Sequence, residues 1–215
     1  MGSENASEKE NYQDIAKEII GILKNKGYDA HYAEDLNAAK DIALQMIPEN
    51  SVIGLGGSTT LGETGLVEIF RDGKYKLIDR YNQPSKEAMF EAYKEALHSD
   101  YFVSGTNAIT KNGELVNIDA SGNRVAAMIY GPKRVIIIAG VNKIVDTLDD
   151  AFQRIKEIAP LNCKRFNITA PCVKSGICEE CDDPQRMCNY TTIIHNGRKF
   201  EGRISVIIIP EKLGF

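Results

Sequence analysis

Cysteine is the residue type whose placement in this sequence most clearly indicates chemistry. All five cysteines fall between positions 163 and 188. In a reducing compartment, clustered cysteines favour a metal site or free thiols over disulfides. The last four follow the spacing C-x5-C-x2-C-x6-C, and Pro171, Gly176 and Pro184 can bend the chain around them. We therefore predict a metal centre held by four thiolates: Cys172, Cys178, Cys181 and Cys188.

The identity of the metal does not follow from this spacing. Thiolates select zinc or an iron–sulfur cluster. A zinc ribbon usually has two C-x2-C pairs, whereas only Cys178 and Cys181 form one here, and the bacterial ferredoxin spacing is also absent. Reduced thiols, or a disulfide formed in air, remain the alternatives. Cys163 follows a predicted helix and is interpreted as a small packed apolar residue.

A second candidate site is the segment GLGGSTT at positions 54–60. It runs from an apolar strand-like stretch into a predicted helix. Open α/β sheets bind ligands there, because free backbone N–H groups and the positive helix end favour an anion. Glycines allow close approach, and hydroxyl groups can donate hydrogen bonds. The segment predicts a site for a small phosphate or carboxylate formed by Gly56, Gly57, Ser58, Thr59 and Thr60.

The same segment also has a purely structural interpretation. It is not the dinucleotide fingerprint, whose third glycine would fall at Thr59, and no Gly-Lys-Ser/Thr follows to make a nucleotide P-loop. In the structural interpretation the glycines only make a tight turn, and Thr60 with Glu63 forms a capping box at the start of the helix.

A third candidate site is the loop 119–124, with sequence DASGNR. Arg124 could clamp an anionic ligand in a bidentate manner, with Asp119 and Asn123 beside it. The alternative is that Asp119 or Ser121 caps the next helix and Arg124 pairs with a surface carboxylate. Polar residues follow two other predicted strands at comparable sheet ends: Asp79 and Arg80, and Ser104, Thr106 and Asn107. This arrangement favours a pocket at one edge of the sheet.

The elements that must position these residues follow from hydrophobic periodicity. Helical stripes end at Gly27 and Pro48, and strand-like runs without strict polar alternation separate them. Asn112-Gly113 predicts a β-hairpin with a type I′ turn. We predict a single three-layer α/β domain over residues 1–215, with helices on both faces of a mostly parallel sheet and a Cys-rich insert at 162–190.

Length and charge exclude several classes of protein. The 215 residues suffice for one domain, and 26 basic against 30 acidic residues give a net charge of −4, which argues against a nucleic-acid partner. No apolar run approaches the roughly 20 residues of a membrane span. The polar N-terminal residues lack the layout of a secretory signal, so we expect the protein in the cytoplasm.

Three stretches of the sequence resemble the LUD domain family, named for lactate utilisation. They are GLGGSTTLGETGL, the long run from SGTNAITKNG to VNKIV, and the tail TAPCVKSGICEECDDPQRMC. The resemblance spans the chain from about the first helix to the C-terminus. It implies a fold similar to the sugar-isomerase and CoA-transferase group. It also implies an association with lactate oxidation, in which related subunits carry iron–sulfur centres.

Three functions are consistent with these observations. The first is a redox-linked subunit or accessory in lactate or other organic-acid oxidation, with an iron–sulfur cluster and iron–sulfur oxidoreductase subunits as partners. The second is an isomerase-like or transferase-like enzyme acting on a phosphorylated or CoA-linked small molecule, with Glu63 or Asp119 as general base and Arg124 as anion clamp. The third is a non-catalytic ligand-binding module with a structural zinc.

Overall fold

The computed structural model describes residues 6–215, in which helices and strands alternate through most of the chain. The α-helices are α1 (Ala6–Asn25), α2 (Leu36–Met46), α3 (Thr59–Glu63), α4 (Leu66–Phe70), α5 (Lys86–Ala96), α6 (Asn123–Ile129), α7 (Leu148–Arg165) and α8 (Pro171–Ser175). The strands are β1 (Asp29–Tyr32), β2 (Val52–Leu55), β3 (Lys76–Ile78), β4 (Tyr101–Ser104), β5 (Ala108–Thr110), β6 (Leu115–Asp119), β7 (Arg134–Gly140), β8 (Ile144–Val145), β9 (Tyr190–Ile194) and β10 (Ile204–Ile209).

Six strands form the main sheet in the order β1-β10-β7-β4-β2-β3, and all of its pairings are parallel. Parallel neighbours require crossover connections, and helices provide them here. The carboxyl ends of all six strands therefore lie at one edge of the sheet. The predicted α/β fold with a mostly parallel sheet is confirmed.

The main sheet is covered by helices on both faces. Along β7, Val135, Ile137 and Ala139 pack into one apolar cluster with α1, α5 and α6, whereas Ile136 and Ile138 pack into another with α2, α3 and α4. Successive strand residues point to opposite faces. Residues on both faces of β7 are therefore covered and apolar. This explains why the strand sequences are continuous Val/Ile runs without alternating polar residues.

The predicted hairpin is present as β5 and β6, which pair antiparallel, but its turn is not type I′. Gly113 has a φ of +78°, while Asn112 is not among the residues with positive φ. A type I′ turn requires positive φ at both central positions. The N–H of Gly113 donates to the carbonyl of Thr110 at 2.7 Å and closes the turn. Gly113 is the turn residue with a left-handed backbone conformation.

A second sheet, in the order β8-β5-β6-β9, was not predicted. Its strands β8 and β9 are short or partly exposed, so they leave a weak hydrophobic pattern. Helix α7 packs on it through Ala151 and Ile155. This helix continues through Pro160 to Arg165, so Cys163 lies within a helix and not after one. Burial of Ile158 and Cys163 favours continuation despite the hydrogen bond lost at proline.

Helices α1 and α7 are the longest in residues 6–215, and no helix in this range combines the length and apolar character needed to cross a bilayer.

Candidate anion-binding cleft

A cleft of about 630 Å³ lies at the carboxyl ends of the main-sheet strands. The segments that follow β2, β3, β4 and β7 each contribute residues to its lining. Helices α7 and α8 and the Cys-rich loop contribute another part. Of the predicted ligand-binding residues, those that line the cleft are Gly57, Ser58, Thr59, Thr60, Thr106, Asn107 and Asn123.

Gly56 is not among the residues lining the cleft. Its N–H donates to the carbonyl of Val103 at 2.9 Å and so continues the pairing of β2 with β4. A Cβ at this position would lie 2.1 Å from Oγ of Ser104. The glycine is needed for close packing of the two strand ends, and its amide is already used by the sheet.

Ser58 caps helix α3, in place of the capping box considered for Thr60 and Glu63. Its backbone is extended, and its Oγ accepts a hydrogen bond from the N–H of Leu61 at 3.2 Å. Thr60 is buried inside the helix. Helix α3 has five residues, so its dipole adds little field at the loop. Any preference for an anion must come mainly from nearby side chains.

Glu63 does not line the cleft, although it is a predicted general base. Its Oε2 accepts a hydrogen bond from the N–H of Gly214 at 3.0 Å, which fixes the carboxylate to the C-terminal segment. A general base must reach the proton that it removes. The role of Glu63 stays a prediction to which this geometry adds no support.

Arg124 lies at the centre of a buried hydrogen-bond network. Its Nη2 donates to Oδ1 of Asn107 and to the carbonyl of Ile118, both at 2.8 Å. Its Nη1 donates to Oδ1 of Asn117 and, at 3.3 Å, to the carbonyl of Gly105. Burial lowers the pKa of the guanidinium. Because these protein acceptors occupy both terminal nitrogens, Arg124 orders the surrounding loops and has little capacity left to clamp a ligand.

Asp119 lines the cleft and also accepts a hydrogen bond from the first turn of helix α6, whose N-cap residue is Gly122. Its Oδ1 accepts from the N–H of Ala120 at 2.8 Å and its Oδ2 from the N–H of Val125 at 3.2 Å. Nε of Arg124 lies 3.6 Å from Oδ2. Asp119 thus satisfies a free N–H of the first turn without being the N-cap residue, and its catalytic role stays a prediction.

Thr106 and Asn107 fix the loop after β4 to strand β6. Oγ1 of Thr106 donates to Oδ1 of Asn117 at 3.2 Å, and Oδ1 of Asn107 accepts from the N–H of Ile118 at 3.1 Å. Asn117 is fully buried and was not predicted as part of the site. It lies inside a strand, so only its polar character among apolar neighbours distinguishes it in the sequence.

Three cations surround the glycine loop: Arg80, Lys143 and Arg165. Nη1 of Arg165 donates to Oγ1 of Thr59 at 2.5 Å. A Cβ at Gly57 would lie 3.4 Å from Nη1 of Arg80. None of the three forms an ion pair with a carboxylate within residues 6–215. The loop is therefore flanked by cations that form no direct salt bridge with an Asp or Glu side chain of the described residues.

Lys143 is 5% exposed, and burial, followed by the charge of Arg154, lowers the pKa of its amine to about 8. Its Nζ donates to the main-chain oxygen of Phe215 at 2.9 Å. Sequence reasoning missed Lys143 and Arg165. Lys143 follows β7, so the rule that ligands bind at carboxyl strand ends could have found it. Arg165 lies in the last turn of α7, where basic residues are common for local reasons.

The cleft as a whole concentrates positive charge. Its basic lining residues are Arg80, Lys86, Arg124, Lys143, Arg165 and Arg186, and its acidic ones are Asp119 and Glu179. The full chain has the opposite balance, with a net charge of −4. A concave site with this local excess attracts anions.

All five cysteines also line the cleft. Sγ of Cys163 lies 3.9 Å from Sγ of Cys172, and both side chains are buried with Ala170 in a small apolar cluster. Burial raises the pKa of the Cys163 thiol to about 12. Arg186 donates to the carbonyls of Cys181 and Cys188 at 2.6 and 3.0 Å, which ties the Cys-rich loop together.

The cysteines fit a thiolate-bound metal by their chemistry but not by their placement. Thiolates are the ligands that zinc and iron–sulfur clusters prefer. Over residues 6–215, however, no three His, Cys, Asp or Glu side chains are arranged to hold a metal ion. Sγ of Cys172 is in contact with Sγ of Cys163, which is not one of the four predicted ligands.

Fold and cleft together define a parallel α/β protein with a cationic site at the carboxyl edge of its sheet. The sequence matches the LUD domain over residues 16–209, and the chain therefore belongs to the LUD domain family. A search of curated proteins found no match.

Three solved structures are similar to this chain to different degrees. A DUF162 family protein from Deinococcus radiodurans has a TM-score of 0.50 at 13% sequence identity, covering 92% of this chain and 97% of that one. The eIF2B delta subunit from Chaetomium thermophilum has a TM-score of 0.36 at 17% identity, covering 65% of this chain and 54% of its own. A D-ribose-5-phosphate isomerase has a TM-score of 0.34 at 19% identity, covering 61% and 66%.

Proposed function

We propose that this LUD-domain protein binds a small carboxylate or phosphate in the cleft and serves as a redox-linked subunit or accessory in lactate or other organic-acid oxidation. One observation carries the proposal: the glycine–serine–threonine loop and the cysteines line the same cleft. An anion held at the loop would lie in a site bordered by thiols. A cluster held by these cysteines would then lie in the same cleft as the bound anion.

Arg165 and Arg80 are the groups proposed to hold the anion. Arg165 contacts Thr59, has no carboxylate partner in the described residues, and leaves its buried Nε without a hydrogen-bond acceptor there. Arg80 lies against Gly57 of the same loop. A guanidinium presents paired donors that match the oxygens of carboxylate and phosphate. Arg124 acts by holding the loops around them in place.

Anion binding is tested by calorimetric titration of L-lactate, pyruvate and inorganic phosphate into wild type and Arg165→Gln. Loss of one charge-assisted hydrogen-bonding group is expected to weaken binding by about 1.5–3 kcal/mol. Lys164→Gln is the matched control, because Lys164 is exposed and does not line the cleft. Equal binding by wild type and Arg165→Gln, or no binding of any of the three anions, would reject the proposed site.

The proposed cofactor is an iron–sulfur cluster bound by Cys172, Cys178, Cys181 and Cys188, with zinc as the alternative. Support comes from their spacing and their common location in the cleft. Binding would require the loop between α8 and β9 to bring the sulfurs closer together. When bound, an iron–sulfur cluster supplies one-electron transfer, and iron–sulfur oxidoreductase subunits are the proposed partners.

Metal content is measured after purification without oxygen. The cluster proposal predicts stoichiometric iron and sulfide in wild type, their loss in Cys181→Ser and their retention in Cys163→Ala. Stoichiometric zinc without iron would instead favour a non-catalytic module with a structural metal. Protein free of both metals would reject the metal centre and leave the anion site to be judged by the titrations.

A second function is favoured by Asp119 and Lys143, two titratable groups in the cleft. Lys143 has a pKa of about 8, which suits proton transfer near neutral pH. An isomerase-like or transferase-like enzyme acting on a phosphorylated or CoA-linked small molecule would use such groups. Turnover of sugar phosphates or acyl-CoA that Asp119→Asn abolishes would support it, provided that phosphate binding is retained. Turnover unaffected by this substitution would exclude Asp119 as the base.

A further inference from the structure

The cleft is larger than a small anion requires. Its volume is about 630 Å³. Pockets of about 300–1,000 Å³ hold ligands much larger than lactate or phosphate. The glycine loop with Arg80 and Arg165 accounts for one anionic group only. The rest of the cleft is available for another part of the same ligand.

Aromatic side chains form one wall of the cleft beside the glycine loop. Tyr81 and Phe90 are 46% and 47% exposed, although both are large and apolar. The hydroxyl of Tyr81 donates to the carbonyl of Gly56 at 3.3 Å, which places this ring next to the loop. Phe90 meets Tyr93 edge to face, with 5.9 Å between ring centroids. Exposed aromatics inside a concave site indicate a surface that a ligand covers.

Arg80 joins this aromatic wall to the anion loop. Its guanidinium carbon lies 4.5 Å from the ring centroid of Tyr93 and 5.4 Å from that of Tyr81. Its Nη2 donates to the hydroxyl of Tyr93 at 2.6 Å, while Nη1 lies beside Gly57. Stacking and this hydrogen bond hold the cation where it touches both regions. A ligand bound by Arg80 through an anionic group would therefore reach the rings with its next atoms.

We infer that the cleft binds a phosphate ester that carries a planar heterocycle, as mononucleotides do. The phosphate lies at residues 57–60 between Arg80 and Arg165, and the heterocycle stacks against Tyr81 and Phe90. This inference rests on the anion site of the proposed function and names its ligand class. Stacking on aromatic side chains tolerates different heterocycles, so AMP and FMN share the required chemistry.

The test compares binding of AMP, FMN, ribose 5-phosphate and inorganic phosphate by calorimetric titration. At least one of AMP and FMN is expected to bind tenfold or more tightly than ribose 5-phosphate, because base stacking typically gives an effect of about this size. Phe90→Ala is expected to remove about tenfold of that affinity without changing the binding of inorganic phosphate. Phe200→Ala is the matched control, since Phe200 is 55% exposed and does not line the cleft.

The outcomes separate this inference from the function on which it rests. If AMP and FMN both bind no better than ribose 5-phosphate, or if Phe90→Ala binds the better ligand as wild type does, the heterocycle subsite is refuted. Binding of phosphate, lactate or pyruvate that depends on Arg165 would still leave the anion site intact. If no anion binds at all, the proposed function and this inference fail together.

Discussion

Replacing Lys143 by methionine is expected to stabilise the protein at neutral pH. Lys143 is buried, and the pKa of its amine falls from the ordinary value of 10.5 to about 8. Between these values the unfolded chain binds more protons than the folded one, so Lys143 makes stability rise as pH increases from about 8 to 10.5. Below pH 8 the amine is protonated in both states, and burying its charge lowers the free energy of unfolding by the full amount that corresponds to the pKa shift.

The size of the effect follows from the shift. A difference of about 2.5 pKa units corresponds to roughly 3 kcal/mol at 1.36 kcal/mol per unit. Methionine also loses the hydrogen bond to Phe215, worth about 1 kcal/mol. Lys143→Met should therefore be more stable than wild type by about 2 kcal/mol at pH 7, and this advantage should vanish by about pH 10.

Urea unfolding of both proteins at a series of pH values measures this difference. Subtracting the two curves removes the titration of other groups that the proteins share. A difference that does not change between pH 7 and pH 10, or a variant less stable than wild type at pH 7, would refute the assignment of a depressed pKa to Lys143.

Two other predictions concern the same site. Binding of inorganic phosphate should weaken as pH rises through about 8, because deprotonation of Lys143 removes a cation near the loop; calorimetry at fixed ionic strength measures this, and a flat profile in that range would contradict it. Gly56→Ala should lower the free energy of unfolding by about 1–3 kcal/mol, because the new Cβ would lie 2.1 Å from Oγ of Ser104. Gly62→Ala is the control, since a Cβ at Gly62 would meet no heavy atom within 4 Å. In the same urea titration it should be neutral or stabilising by up to about 1 kcal/mol.

The main sheet could be predicted from sequence because its pattern is local. Runs such as Val135–Ala139 must be buried on both faces, and the helical stripes between them supply the covering layers. The second sheet could not be predicted in this way. Strand β8 has two residues, and β9 begins with exposed positions, so neither has a period that identifies it.

Within the candidate site, the glycine loop could be found because it combines a strand end with glycines and hydroxyls. The roles of its residues could not. Gly56 and Arg124 were predicted to contact a ligand, yet Gly56 packs against Ser104. The terminal nitrogens of Arg124 donate to acceptors in the loop after β4 and in strand β6. Hydrogen-bond partners distant in sequence decide which polar groups remain free for a ligand.

The parallel α/β architecture, the position of the glycine loop and the clustering of the cysteines could be inferred before the fold was known, because each depends on residues close together along the chain. Three features of the site depend on the folded chain. Arg165 contacts Thr59, 106 positions away in sequence, Lys143 is buried at the cleft, and the cysteines line the same cleft as the glycine loop. These contacts arise because the strand ends, helix α7 and the Cys-rich loop, which are distant along the chain, meet at one edge of the sheet. A pattern of neighbouring residues does not contain this information.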